Sequence, residues 1–271
     1  TNAVTPELIE GLKRLEYRGY DFGGLATLVN GHIDRRRAQG KIINLEHAVD
    51  DEPLSGTTGI GHTRWATHGI PNEANAHPHA NAHVAVVHNG IIENFQELKT
   101  ALEKDGDVFE SDTDTEVIVH LVSRHLNDGA TPREAAEKTV AALEGAFALA
   151  MIFAGHGELL IGARRGSPLA VGYGDGEMFI GSDALALAPL TRRLSYLEDG
   201  DLVELSRDGA TVYDGNGAKV SRAVQETAAI GDAVGKGNFA HYMLKEIYEQ
   251  PTVIGDTLNS FFNPATRTVT L

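Results

Sequence analysis

From Phe147 to Tyr213 the chain is a succession of short apolar runs broken by Gly, Pro and Asp. Phe147 to Phe153, Leu159 to Arg164, Leu169 to Tyr173 and Met178 to Ser182 are followed by Tyr196-Leu197, Leu202 to Leu205 and Thr211 to Tyr213. A parallel crossover needs roughly a dozen or more connecting residues, which these gaps do not supply, so the runs pair as antiparallel hairpins and meanders. Strands buried this way must be covered, and the first half of the chain carries the helical patterns to cover them. The expected class is therefore α+β, one domain layered helix–sheet–sheet–helix around largely antiparallel sheets.

In that first half, Thr5-Pro6-Glu7 reads as a hydroxyl cap, a proline in the first turn and an early acid, opening a helix with Leu8, Ile9, Leu12 and Leu15 on one face. It should end near Tyr17-Arg18-Gly19. Gly24 to Val29 and His32 to Arg37 read as a hairpin about Asn30-Gly31. Ile42 to Val49 reads as a short helix, and Thr58 to Trp65 and Val84 to His88 as interior strands. Helices are expected from Phe95 to Glu103, after the capping-rich Ser111-Asp112-Thr113-Asp114, and after Thr131-Pro132-Arg133-Glu134, which fits a capping box. Residues 223–240 are small and polar and read as a linker. His241 to Leu258 reads as a helix that Pro251 should kink or divide.

Composition excludes some functions. A net charge of −15 over 271 residues argues against a nucleic-acid partner. No run approaches the ~18 apolar residues of a membrane span, and neither a membrane partner nor a secretory signal is expected. With no cysteine, these residues hold no disulfide, no thiolate metal ligand and no cysteine nucleophile, and a cytoplasmic setting is the default.

Polar chemistry concentrates in Gly61-His62-Thr63-Arg64-Trp65-Ala66-Thr67-His68-Gly69, in Asn75 to His79, in His88-Asn89-Gly90 and in Ser111 to Glu116. Arg64 offers a planar fork suited to a carboxylate, or an ordinary ion pair. Asp114 suits an ammonium group, or a helix N-cap. A fork for a carboxylate and a carboxylate for an ammonium are what a free α-amino acid requires. Asn89 and Gly90 suit an oxyanion hole, although by spacing alone a tight Asn-Gly turn is favoured. His62, His68, His77, His79, His83 and His88 lack metal-ligand spacing, so hydrogen bonding in core and loops is their expected duty.

Together with Arg14-Leu15-Glu16-Tyr17-Arg18-Gly19-Tyr20-Asp21, Val86 to Asn94 and Thr113 to Val117, these stretches resemble the class II glutamine amidotransferases. Within that family they are most similar to the glutaminase domains of glutamine–fructose-6-phosphate aminotransferases (isomerizing). The resemblance implies an N-terminal nucleophile hydrolase-type four-layer αββα sandwich. It also implies hydrolysis of L-glutamine, with ammonia passed to a sugar isomerase domain that converts fructose 6-phosphate to glucosamine 6-phosphate. By the same resemblance Arg64 and Asp114 hold the α-carboxylate and α-amino group, Thr67 and His68 line the pocket, and Asn89 and Gly90 form the oxyanion hole. Trp65 gates the ammonia path, and Arg18 lies in a loop over the site. No cofactor or metal is implied, and the longer protein is expected to be a homo-oligomer. The domains follow as 1–222 glutaminase, 223–240 linker and 241–271 start of a truncated isomerase module.

Two departures stand out. The family begins with a cysteine whose thiol attacks the amide while its own α-amine acts as base. Here the sequence starts at Thr1, and the resemblance implies a missing first strand of about eight residues, ~26 Å when extended. Thr1 would lie at the far end of that strand, too distant to replace the cysteine, so this chain by itself is expected to be inactive. Asp21-Phe22-Gly23-Gly24 also stands where the family has Asp-Ser-Ala-Gly, placing a bulky ring beside the Arg18 loop. The competing reading is a non-catalytic glutamine-binding or interaction domain.

Overall fold

Alternation along two central strands sets the architecture. In β5 (Val84–Ile92) and β6 (Gly145–Phe153), Val84, Val86, Phe147, Leu149, Met151 and Phe153 enter one buried cluster, while Ala85, Val87, Ala150 and Ile152 enter another. Successive side chains on a strand point to opposite faces, so a sheet apolar on both faces must be covered on both. One face packs on α4 (Glu116–Asn127) and α5 (Pro132–Ala142), with α3 (Phe95–Lys104) beside α4. The other packs on a second layer of strands.

The computed structural model describes residues 3–16, 21–64, 73–226, 239, 241–263 and 268–269. The chain divides into two compact units, Thr1–Gly231 and Asp232–Leu271. In the first, the central sheet has seven strands in the order β13-β12-β11-β7-β6-β5-β4. These comprise β4 (His79–Ala80), β7 (Leu160–Arg165), β11 (Leu202–Ser206), β12 (Gly209–Tyr213) and β13 (Lys219–Val220) besides β5 and β6. The second layer consists of two sheets. One is β2-β1-β3, formed by β1 (Phe22–Val29), β2 (His32–Gln39) and β3 (Gly59–Arg64). The other is β14-β10-β8-β9, formed by β8 (Ala170–Tyr173), β9 (Met178–Gly181), β10 (Arg193–Tyr196) and β14 (Gln225–Glu226). Every pairing in the unit is antiparallel. Outside this layer lie α1 (Thr5–Leu15), α2 (Ile42–Asp51) and the short α6 (Ala184–Leu187), with Ile9, Leu12, Leu25, Ile42 and Leu45 in a common apolar cluster. The result is the four-layer αββα sandwich expected from the sequence.

Several local expectations hold. Val29 pairs with His32 around Asn30 (φ 51°) and Gly31 (φ 83°), both left-handed as a two-residue type I′ hairpin demands. Thr131 and Glu134 form the reciprocal capping box at the start of α5. Others are corrected. Thr5 does not cap α1: the helix starts at Thr5 itself, and its hydroxyl donates instead to the Leu54 carbonyl at 2.9 Å, tying the helix to the segment before β3. No side chain of 111–115 caps α4 from its N-cap position. Those groups are engaged in tertiary bonds described below. The end of the first helix near Tyr17-Arg18-Gly19 lies outside the described residues.

In the second unit, α7 (Tyr242–Phe261) runs through Pro251 as one helix rather than dividing there, and Phe262–Asn263 pairs with Thr268–Val269.

Candidate functional site

The terminal strands β3 and β9 of the two smaller sheets border one cavity of about 620 Å³. Its floor is Val87 to Ile91 of β5 and Ala148 to Ala150 of β6, and Leu8, Leu12 and Leu15 of α1 with Leu187 of α6 lie on its opposite side. At one part of this largely apolar cleft the lining turns polar: His62, Arg64, His88, Asn89, Gly90, Thr113 and Asp114. So Arg64, Asn89, Gly90 and Asp114, separated by up to fifty positions in sequence, share one cavity wall. Arg18, Trp65, Thr67 and His68 lie outside the described residues.

Asn89-Gly90 is not a turn. Both residues are inside β5, opposite Ala148 and Phe147. The sequence pattern misled because the dipeptide signals a hairpin only when no third strand claims it, and here β6 pairs through the whole stretch. Gly90 has φ +127°, and a β-carbon there would sit 2.0 Å from the Ala146 carbonyl oxygen, so only glycine fits. Asn89 Oδ1 lies 2.8 Å from His62 Nε2 on β3.

Asp114 does not cap α4 either. Its Oδ2 accepts the Ile92 N–H at 2.8 Å, and its Oδ1 lies 3.9 Å from His88 Nδ1. The carboxylate is therefore anchored to β5, beside the oxyanion candidates. Arg64 ends β3 with 5% of its surface exposed. Burial lowers its guanidinium from the ordinary arginine value, while Asp21 and Asp114 act to raise it. Two opposite, largely buried charges thus line one cavity, near enough that Asp114 acts on the Arg64 guanidinium.

The loop carrying Asp114 is held from behind. Glu116 accepts the backbone N–H groups of Glu110 and Ser111 at 2.8 and 2.7 Å and the Ser111 hydroxyl at 2.6 Å. Burial pushes Glu116 up, but these donors and His120 outweigh it and bring the carboxyl down to about 2. Since Ser111 donates to Glu116, its oxygen is left to accept from Thr113 (3.0 Å). Thr113 in turn accepts from His79 Nε2–H at 3.0 Å. His77 Nδ1 lies 3.2 Å from His62 Nδ1, His77 Nε2 lies 2.9 Å from Thr115 Oγ1, and His88 Nδ1 lies 3.0 Å from the same oxygen. Burial lowers His62 to about 4 and His79 to about 3, and lowers His77 and His88 as well, so all four rings are neutral near pH 7. These four histidines thus serve core hydrogen bonding, whereas His83 is exposed and His68 lies outside the described residues. Among the described residues no trio of His, Asp or Glu is grouped as a metal site. What sequence reading missed is that Thr113, Thr115 and Glu116 complete these chains. The only signal was their density in Ser111 to Glu116, which is equally a capping pattern.

A family model described as a glutamine amidotransferase domain matches residues 62–189, the span containing every element of this polar wall. A glutamine–fructose-6-phosphate aminotransferase [isomerizing] of Gluconobacter oxydans is 57% identical over 269 residues, covering 99% of this chain and 44% of that protein. A protein of the same description from Bradyrhizobium diazoefficiens is 58% identical over 268 residues, again 99% and 44%. The chain belongs to the class II glutamine amidotransferases. Solved amidotransferases carry its fold. The glutamine phosphoribosylpyrophosphate amidotransferase from B. subtilis aligns with a TM-score of 0.68 at 24% identity, over 79% of this chain and 47% of that one. A structure titled as the allosteric regulatory enzyme of purine biosynthesis aligns at 0.66 and 25%, over 78% and 46%. This amidotransferase chain spans under half the length of the curated relatives it matches. Phe22, which departs from the family pattern, is 2% exposed at the start of β1, opposite Arg64 and Gln39.

Proposed function

We propose that this domain hydrolyses L-glutamine to glutamate and ammonia, for use by a sugar isomerase module that converts fructose 6-phosphate to glucosamine 6-phosphate. The observation that carries the reading is the joint position of Arg64, Asp114, Asn89 and Gly90 on one cavity wall. Arg64 takes the α-carboxylate through its fork, and Asp114 takes the α-ammonium. The side-chain amide carbon then lies toward Asn89 and Gly90, whose N–H groups receive the oxyanion. A mere interaction module has no need of an oxyanion hole.

The chain has no cysteine, and the nucleophile comes on an extended segment outside these residues. That segment seats in the cleft between β3 and β9. The six residues of β3 present an edge about 20 Å long at ~3.3 Å per residue, enough to pair a strand. The apolar floor and helices would bury its alternate side chains. The thiol at its start attacks the amide carbon, and its α-amine takes the thiol proton and passes it to the leaving nitrogen, which departs as ammonia. Water then cleaves the thioester to glutamate and restores the thiol. This chain alone is inactive. Trp65 and Arg18 act as gate and lid residues, Thr67 and His68 as pocket residues, and residues 241–271 begin the isomerase module after a linker at 223–240.

Two preparations test this: the chain as it stands, and the chain joined at its N-terminus to a Cys-led strand. Glutamate release by the second and not the first is expected, with glutamine binding to both lost about a hundredfold in Arg64→Ala. Hydrolysis by the unextended chain would refute the assignment of the nucleophile. Glutamine binding to both with hydrolysis by neither would favour the non-catalytic reading, for which the absent cysteine speaks.

A further inference from the structure

We infer that His62 is a positioning residue that holds the Asn89 amide with its NH2 free for the oxyanion, as the last member of a directed hydrogen-bond relay running from His88 through Thr115 and His77. The functional half of this inference rests on the glutaminase reading above. The relay itself does not.

Direction follows from counting hydrogens. A neutral imidazole has one donor and one acceptor nitrogen, and a hydroxyl has one hydrogen. The contacts Asn89 Oδ1–His62 Nε2 (2.8 Å), His62 Nδ1–His77 Nδ1 (3.2 Å), His77 Nε2–Thr115 Oγ1 (2.9 Å) and Thr115 Oγ1–His88 Nδ1 (3.0 Å) form a line, with the His88 backbone also acting on the His62 ring. Two arrangements use every hydrogen along it; a third, with Thr115 accepting from both His77 and His88, would bury the Thr115 hydroxyl hydrogen with no acceptor among the described residues and is set aside for that cost. In the first, His88 Nδ1–H donates to Thr115, Thr115 to His77 Nε2, His77 Nδ1–H to His62 Nδ1, and His62 Nε2–H to Asn89 Oδ1. In the second every bond is reversed and Asn89 must present its NH2 to His62.

The far end decides between them. His88 Nε2 is buried and has no hydrogen-bond partner among the described residues, and His88 Nδ1 lies 3.9 Å from Asp114 Oδ1. The reversed arrangement buries an unpartnered N–H at Nε2 and turns the bare lone pair of Nδ1 toward a carboxylate. The forward one leaves only a bare lone pair at Nε2 and places an N–H near the carboxylate. A buried orphan donor is the costlier defect, rarer in proteins than an under-used acceptor. With the forward direction, Asn89 Oδ1 is occupied and its two N–H groups are the only part of the amide left to serve the cavity. All four links are at most 9% exposed (His62 9%, His77 7%, His88 4%, Thr115 0%), so water is poorly placed to randomise them. Asn89 is thereby one end of a rigid line, and Asp114, which grips the opposite end of the same substrate in the proposed function, stands 3.9 Å from its other end at His88.

The ring nitrogens of the 15N-labelled chain, as it stands at pH 7, test the relay by NMR. Expected are a protonated Nε2 and bare Nδ1 for His62, and protonated Nδ1 with bare Nε2 for His77 and His88. The opposite pattern at His62 and His77 overturns the inference. The positioning role is read in the Cys-bearing form. His62→Leu should lower kcat for glutamine hydrolysis about ten- to a hundredfold with KM within about twofold, because a mis-aimed donor affects the oxyanion more than the ground state. His62→Gln, which returns an N–H near the Nε2 position, should recover most of it. Should His62→Leu not fold, Thr115→Val breaks the middle of the relay with nearly the same shape. It should mix the His77 ring tautomers and lower kcat in the same way. A parallel rise in KM, no advantage of Gln over Leu, or a Thr115→Val protein indistinguishable from wild type would each overturn the role. Absence of hydrolysis in the unsubstituted Cys-bearing form would instead refute the glutaminase reading, with the nitrogen pattern still deciding the relay.

Discussion

Mild acid should unfold this domain well above the carboxylate range. Burial holds His62 at about 4 and His79 at about 3 in the folded state, against about 6.5 for an unfolded histidine. Between those values the unfolded chain binds protons that the folded one refuses, so the folded state loses ground as pH falls. The contribution is intact above about pH 6.5 and drains away toward the folded values. For each ring the loss from pH 7 to pH 5 is about 2 kcal/mol, or about 4 kcal/mol for the pair, a large part of the ~5–15 kcal/mol typical of a domain. His77 and His88, also lowered by burial, act in the same direction. His120 opposes them. Burial lowers it, but hydrogen bonds and charge attraction from Glu116 and Asp107 outweigh this and raise its value, so its contribution is full below about 6.5 and is lost as pH rises through the folded value. Glu116, lowered to about 2, keeps its contribution above the ordinary glutamate value of 4.5 and loses it only as pH falls from there through the folded value. The clean window is therefore pH 6 to 5. There the His62–His79 pair alone should cost about 2 kcal/mol in urea unfolding followed by far-UV circular dichroism at fixed ionic strength. His79→Gln should roughly halve that slope. A loss below about 1 kcal/mol between pH 6 and 5 would show that the rings protonate without unfolding, and would refute a dry, neutral cluster.

Gly90→Ala must move β5 off Ala146, since the new carbon would lie 2.0 Å from that carbonyl at φ +127°. A loss of at least about 2 kcal/mol in the same unfolding assay is expected, and a value near zero would place Gly90 in a different conformation. Gly24→Ala would drive a β-carbon to 2.1 Å from the His77 carbonyl. It should cost about 1–3 kcal/mol and shift the His77 ring signals, whereas a stable protein with unmoved signals would contradict that approach. Thr131→Ala removes the α5 capping box and should cost about 1 kcal/mol, measurable as a lower melting temperature without change in glutamine binding.

Reading from residues alone reached the αββα layering because the apolar alternation that makes strands is local, and a sheet apolar on both faces can only be sandwiched. The Asn30-Gly31 hairpin and the Thr131 box were legible for the same reason, as each is closed within four residues. Where reading failed, a distant partner had outbid the local one. Asn89-Gly90 carries turn chemistry but is paired along its length by β6, and Asp114 carries cap chemistry but bonds the Ile92 N–H of β5. Thr5 likewise spends its hydroxyl on Leu54. Family resemblance singled out Arg64, Asn89, Gly90 and Asp114, though their spacing alone left each with an ordinary structural alternative.

Sequence by itself determined the class of the fold, the family and the chemical kinds available to the site, because those follow from periodicity, composition and the identity of side chains. It could not determine that β3 and β9 border one cleft, or that three histidines and a threonine form a line ending on Asn89. Those are consequences of how strands from different parts of the chain register against one another. A proton's position in such a line depends on every contact along it, and no single residue's identity contains that.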